Sequence, residues 1–107
     1  MHHPIKPKKP DLGMNRENAQ SLIKLFSRYS NISYVLASHE HLYYNPQTRD
    51  TTLPPSRTDP STDPPFYLVS GGAGGPLEGT PKAGGFYHYL VFAVHGDHVQ
   101  ARLLRLP

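Results

Sequence analysis

Histidine pairs are the residues of this sequence whose type and spacing best suit chemistry. The 107-residue chain holds seven histidines, and four of them form two pairs, His2 with His3 and His39 with His41. At the end of a strand, a turning backbone can direct residues i and i+2 around one centre. Imidazole nitrogens suit Zn, Mn and Fe, so the second pair is a candidate metal ligand set. The same spacing also occurs between two solvated surface histidines, and spacing alone does not separate these alternatives.

A helix is predicted between the two histidine pairs. From residue 15 to about residue 29, apolar side chains recur at helical spacing. Asn15 can cap the first turn, and Glu17 lies at the positive end of the helix dipole. The predicted apolar stripe consists of Ala19, Leu22, Ile23 and Phe26, widened by Leu25 and Tyr29.

Short apolar runs predict the strands that would position the second pair. Residues 32–37 are nearly all apolar, which is typical of a strand buried on both faces, and the chain passes from them directly into Ser38-His39-Glu40-His41. We expect Glu40 to be exposed to solvent. Residues 66–69 predict a second strand.

The rest of the chain after residue 69 predicts a loop and a hairpin. Residues 70–85 are rich in glycine and predict a close-packed turn without a helix. Residues 86–94 and 98–106 flank a His-Gly-Asp turn and predict an antiparallel hairpin with a half-exposed second arm. His88, His95 and His98 are explained by this hairpin and receive no functional role.

Composition limits the chain to one domain or a piece of one, with a thin core. Hydrophobic residues make up 36% of the sequence, and it contains 9 Gly and 12 Pro. Residues 45–65 hold few large apolar side chains and predict an exposed, mobile loop that contributes no core.

The absence of cysteine excludes disulfides and thiolate metal sites. No apolar run is long enough for a membrane span, the N-terminus lacks the apolar core of a signal peptide, and the compartment stays open.

Positive charge is concentrated near the N-terminus. The net charge is +3, and residues 1–31 carry six Lys or Arg against two acidic residues. Lys6, Lys8 and Lys9 alternate with prolines in residues 4–13, a pattern that favours a solvated loop over a nucleic-acid site.

Four segments together resemble the C-terminal part of a calcineurin-like metallophosphoesterase, in the superfamily that includes purple acid phosphatases. They are MHHP (1–4), SYVLASHEHLYY (33–44), FYLVSGGAGG (66–75) and the closing hairpin. That family has an HxP-like motif, a helix, a strand ending in GHxH and a strand entering a glycine-rich loop, in this order. The resemblance implies that His2, His39 and His41 are metal ligands, with His3 as the alternative to His2.

The resemblance also implies a fold and an activity. The chain would be an α/β C-terminal fragment of a layered α/β/β/α sandwich, a single partial domain over residues 1–107 with one main helix, buried strands and the hairpin. The family uses two metals, here Mn, Zn or Fe, to activate water against a phosphate ester. Its earlier motifs DxH, GDxxD and GNHD are missing, and Ser38 replaces the usual Gly. We therefore expect little or no turnover by this chain alone, and we assign no catalytic residue within it.

Two other functions stay open. The same elements could serve as a non-catalytic binding or scaffold module, and the exposed sheet edges of a fragment could support self-association. A single-stranded nucleic-acid binder is the third hypothesis. Its stacking surfaces would be Tyr34, Tyr43, Tyr44, Tyr87 and Tyr89.

Overall fold

The structure, a computed structural model, describes residues 1–57 and 65–107. Over these residues the chain forms one α-helix, five strands and two short 3-10 helices at Pro10–Leu12 and Pro81–Ala83. The helix is α1 (Arg16–Phe26) and the strands are β1 (Tyr34–Ala37), β2 (Tyr43–Tyr44), β3 (Phe66–Ser70), β4 (His88–His95) and β5 (His98–Arg105). The result is a mixed α/β domain with one helix and two small sheets.

The first sheet has the strand order β1-β3-β2. β1 pairs parallel with β3, with Tyr34 opposite Phe66, and β2 pairs antiparallel with β3, with Tyr43 opposite Ser70. The predicted strand at 32–37 therefore exists, but its expected burial on both faces is wrong. β1 lies at the edge of the sheet and Leu36 remains 38% exposed, whereas the central position belongs to β3.

Helix α1 packs across the first sheet, as its sequence predicts. Asn15 caps it, since its side-chain oxygen accepts hydrogen bonds from the Glu17 and Asn18 backbone N–H groups. The predicted stripe packs against a core of Ile5, Val35 and Tyr67. Leu25 and Tyr29 are exposed, so the widening of the stripe is wrong. Leu25 lies outside the stripe that packs on the sheet, and Tyr29 lies beyond the helix, which ends at Phe26 and not near residue 29 as predicted.

The hairpin β4–β5 forms the second sheet, and its prediction is confirmed. The two strands pair in register from His88 opposite Arg105 to His95 opposite His98, and Gly96 takes the positive φ of 58° that the tight turn requires. The second arm alternates as expected, with Ala101 buried. The loop from residue 70 to residue 85 contains no α-helix and only the short 3-10 turn.

The segment 45–65 differs from its prediction as an exposed loop. Asn45, Pro54 and Arg57 are buried, and the Arg57 backbone forms a bridge with Val99 of β5. Polar groups can be buried when they are hydrogen-bonded, so a segment with few apolar side chains can still be partly buried. The prediction of mobility also covers residues 58–64, which lie outside the described residues.

In the part of the chain that is described, no helix is long and apolar enough to cross a membrane.

Candidate metal centre

The edge of β1 brings the first histidine pair to the second. The Met1 backbone nitrogen donates to the Leu36 carbonyl oxygen at 2.9 Å, and the Ser38 N–H donates to the His2 carbonyl oxygen at 3.0 Å. These bonds hold the first residues of the chain alongside the end of β1. His2 consequently lies beside His39, although 37 positions separate them in the sequence.

Two imidazole nitrogens face each other at this place. His2 Nε2 lies 2.9 Å from His39 Nδ1, and the other ring nitrogen of His2 lies 3.4 Å from the Ser38 hydroxyl. His39 has a φ of 66°, a left-handed conformation that costs a non-glycine residue about 1–2 kcal/mol. Ser38, where the resemblance implies a glycine, does not take positive φ; its neighbour His39 does, and the Ser38 hydroxyl lies at the site.

His3 completes a cluster of three imidazoles. One ring nitrogen from each of His2, His3 and His39 can be chosen so that all three lie within 4.8 Å of one another. The rings are in contact, with centroid separations of 4.8 Å for His2 and His3 and 4.2 Å for His3 and His39. The pKa of His2 is lowered, first by desolvation and then by the neighbouring His39 and His3. The lowered pKa favours the neutral form of the His2 imidazole, which is the form that binds metal.

His41 lies outside this cluster and has a different anchor. Its Nδ1 lies 2.8 Å from the Pro76 carbonyl oxygen. A carbonyl oxygen only accepts, so Nδ1 carries the proton and Nε2 of the neutral ring is left with its lone pair. A Cβ on Gly75 would stand 2.7 Å from the Cε1 atom of this ring. The glycine-rich loop is thus packed against His41.

Glu40, between the two histidines, is fully buried, so the expectation that it is exposed is wrong. Its carboxylate oxygens accept hydrogen bonds from the Lys8 N–H at 2.8 Å and the Lys9 N–H at 2.9 Å. Two backbone donors supply the partners that a buried carboxylate requires. Glu40 thereby ties the proline-rich segment near the N-terminus to the histidine-bearing turn.

Two further side chains near this end of the sheet, those of His88 and Lys8, have hydrogen-bond partners. His88 is buried, its Nδ1 donates to the Phe86 carbonyl oxygen at 3.0 Å, and its Nε2 accepts from the Ser70 hydroxyl at 2.9 Å. These bonds fit the structural role assigned to it. Lys8 is not simply solvated, because its Nζ donates to the Ala83 carbonyl oxygen at 2.8 Å.

An open groove of about 500 Å³ borders the histidine cluster. Met1, Met14 and Leu22 provide its apolar surface. His2, His3, Asn18 and Ser21 provide its polar surface. The groove was not predicted, because it forms between α1 and the N-terminal residues only when both pack on the sheet.

Comparison with known proteins leaves the site to be interpreted from its own geometry. No family model matches the chain, no curated protein matches it, and no solved structure matches it.

Proposed function

We propose that the chain is the C-terminal segment of a metal-dependent phosphoesterase, in which His2, His39 and His41 serve as metal ligands. The observation that carries the proposal is the 2.9 Å separation of His2 Nε2 and His39 Nδ1. These two residues belong to the two motifs on which the resemblance to calcineurin-like metallophosphoesterases rests. The proposed parent domain is the layered α/β/β/α sandwich of that family.

The spacing of these nitrogens suits two ligands of one ion. Nitrogen ligands bind zinc at about 2.0–2.1 Å, so adjacent ligands of one ion lie roughly 3 Å apart. To enclose an ion, both rings would rotate until these nitrogens face it, and the proton shared between them would move to the other nitrogen of its ring. The competing interpretation is a direct hydrogen bond between two exposed imidazoles, which the same distance also allows.

His41 has the bond that ligand histidines usually make. Metal-binding histidines generally donate their second ring N–H to a carboxylate or a backbone carbonyl, which fixes the tautomer and the ring orientation. The bond from His41 Nδ1 to the Pro76 carbonyl oxygen has this form. It leaves Nε2 as the free ligand atom, and the proximity of His41 contributes to the lowered pKa of His2.

The three histidines would supply only part of a two-metal centre. Bound metal ions of this class polarise a phosphoryl oxygen and lower the pKa of bound water toward neutrality. The cluster in this chain is made of imidazoles, and the bridging carboxylate of the resembled family has no counterpart in it. His2, His39 and His41 therefore act as ligands and not as proton donors, and the chain by itself should turn over little or no substrate.

The test is metal retention and phosphate binding by the purified chain. Wild type and a His39→Ala, His41→Ala variant are loaded with Mn²⁺ or Zn²⁺ and desalted. Their metal content is measured by plasma mass spectrometry. The matched control is His95→Ala, His98→Ala, because these two histidines face each other on the exposed hairpin. We expect wild type and control to retain metal, and the first variant to lose it.

Inorganic phosphate then tests the phosphoester chemistry. The ³¹P resonance of phosphate should broaden with the Mn²⁺-loaded wild type and not with the His39→Ala, His41→Ala variant. Equal metal content in all three proteins, or absence of phosphate binding, would contradict the proposal and favour the scaffold module. Hydrolysis of p-nitrophenyl phosphate that disappears in the variant would contradict the expected inactivity of the chain alone.

We also propose self-association as the partner interaction of the chain. Tyr89 and Val91, on one face of β4, are exposed, and exposed apolar surface is typical of interaction sites. Light scattering across a concentration series should show an oligomer that Val91→Lys weakens. A monomer at all concentrations would contradict this part of the proposal.

A further inference from the structure

We infer that, in the chain alone, His2, His3 and His39 hold one divalent transition-metal ion, and that His41 becomes a ligand only in the proposed complete two-metal centre. This site goes beyond the proposed phosphoesterase because it requires neither a second ion nor phosphoester chemistry. It shares two ligands with the proposed centre and differs in the third. That difference makes the two proposals separable by experiment.

The first argument is the position of the three rings. One ring nitrogen from each residue lies within 4.8 Å of the other two, and the closest pair is already at 2.9 Å. Ligands around one ion lie roughly 3 Å apart, so His2 and His39 need a rotation of their rings toward the ion, whereas His3 also has to approach. His3 is exposed, and a rotation of its side chain can bring its nitrogen closer.

The second argument is that the His3 ring can move more freely than the His41 ring, the other candidate for the third ligand. The His41 ring is bonded to the Pro76 carbonyl oxygen and packed against Gly75. Movement of this ring toward His2 would break that hydrogen bond. His3 follows His2 directly in the chain, and its ring already contacts both His2 and His39.

The third argument is that the structure holds His2 and His39 next to each other before an ion binds. The Ser38 hydroxyl lies next to the second nitrogen of His2, and the positive φ of His39 turns that residue at the end of β1. Two ligands are thus positioned before any ion binds, which lowers the conformational entropy lost on binding.

Three imidazoles are a donor set found in zinc sites, where a fourth position stays open for water or another ligand. The groove that borders His2 and His3 gives solvent access to such a position. None of the residues that line this groove is Asp, Glu, Lys or Arg. The open position would therefore accept a small oxygen donor without competition from a neighbouring carboxylate.

The experiment is a Co²⁺ titration of the whole chain, followed by the visible absorption of the ion and by calorimetry. The variants are His3→Ala and His41→Ala, with His95→Ala as a control for exposed histidines. Removal of even a supporting residue of a metal site commonly weakens binding by 10–100-fold. We expect His3→Ala to weaken Co²⁺ binding by at least about tenfold, and His41→Ala and His95→Ala to change it by less than about twofold.

The outcomes separate the two proposals. If His41→Ala weakens binding and His3→Ala does not, this inference is overturned and the ligand set of the proposed phosphoesterase is supported. Absence of Co²⁺ binding by wild type also overturns the inference. If binding depends on His3 while the Mn²⁺-loaded chain binds no phosphate, the inference stands and the phosphoesterase proposal fails. A nitrogen-proton correlation spectrum of each variant verifies that the fold is retained.

Discussion

At the scale of single residues, two buried polar side chains organise the segments around the candidate metal centre. Glu40 binds two backbone N–H groups of the proline-rich segment. Asn45 donates to the Thr52 carbonyl oxygen at 2.7 Å and accepts from the Gln47 N–H at 2.9 Å. Both side chains replace hydrogen bonds that irregular backbone would otherwise make to water. Loops that lack apolar side chains can therefore still be ordered parts of the fold.

Glu40→Gln should destabilise the chain. The amide keeps one acceptor oxygen, but its nitrogen would face the second backbone N–H donor, and the charge that strengthens both bonds is lost. Hydrogen bonds to charged groups contribute about 1.5–3 kcal/mol, so we expect a loss of this order in the free energy of unfolding, measured with urea. Asp11→Asn, at an exposed position near the same segment, is the control. A variant as stable as this control would show that the carboxylate charge is unimportant.

Tyr43 should make the fold sensitive to alkaline pH. Burial, followed by the proximity of Asp50, raises the pKa of Tyr43 to about 12 from its usual value of 10.0. Between pH 10 and pH 12 the unfolded chain loses a proton that the native chain retains. The free energy of unfolding therefore falls as pH rises through this window, by up to about 2 kcal/mol.

Urea unfolding at pH 8 and at pH 11 tests this prediction. Tyr43→Phe should reduce the difference between the two pH values, with the raised pKa values of Tyr34 and Tyr67 supplying the remainder, whereas Tyr29→Phe, at an exposed position, should keep it. The prediction is wrong if Tyr43→Phe loses as much stability at pH 11 as wild type does.

At the scale of elements, the glycine-rich loop uses adjacent glycines for different reasons. Gly74 has a φ of 132°, and a Cβ there would meet no atom within 4 Å. Gly75 provides space, because a Cβ there would contact the ring of His41. The backbone conformation of Gly74 and the missing side chain of Gly75 together allow the Pro76 carbonyl oxygen to reach the His41 ring.

Gly75→Ala should therefore displace the His41 ring, and Gly74→Ala should not. Both substitutions cost stability, the first through collision and the second through backbone strain. Only Gly75→Ala should break the bond to the Pro76 carbonyl oxygen. The ¹⁵N shifts of the imidazole nitrogens report the tautomer directly. We expect a His41 protonated on Nδ1 in wild type and Gly74→Ala, and a mixture of tautomers in Gly75→Ala. A wild-type ring protonated on Nε2 would refute the assignment.

At the scale of the whole molecule, the two sheets share one cluster of buried side chains. Tyr43 and Leu68 from the first sheet pack with Phe86. Leu90 and Leu103 of the hairpin complete this packing. The β5 strand is also bridged to Arg57. Because the hairpin has few other buried residues, its stability depends on this shared core.

Leu68→Ala should consequently destabilise both sheets together. Truncation of a fully buried leucine costs about 2–5 kcal/mol, a large part of the stability of a small domain. Urea transitions monitored by far-UV circular dichroism and by tyrosine fluorescence should shift equally. Leu25→Ala, on the exposed face of α1, should shift them little. Separate transitions for the two probes would show that the hairpin unfolds independently.

The elements that the sequence predicts well are those whose signals are local. The cap at Asn15, the 3.6-residue stripe of α1 and the Gly96 turn of the hairpin each arise from a few neighbouring residues. The position of a strand within a sheet is not local. β1 has the apolar composition of a central strand, yet β3 takes that position, with β1 on one side and β2 on the other, and its three middle residues are buried.

For the candidate site, the sequence by itself determined the residue types, their order and their place at the end of a strand. Only the tertiary structure decided which histidines meet. Two hydrogen bonds along the edge of β1 place His2 against His39, while a carbonyl of the glycine-rich loop directs His41 elsewhere. The burial of Glu40 was equally invisible, because its partners are backbone N–H groups. Such donors occur at almost every residue, and folding alone selects the ones that come within reach.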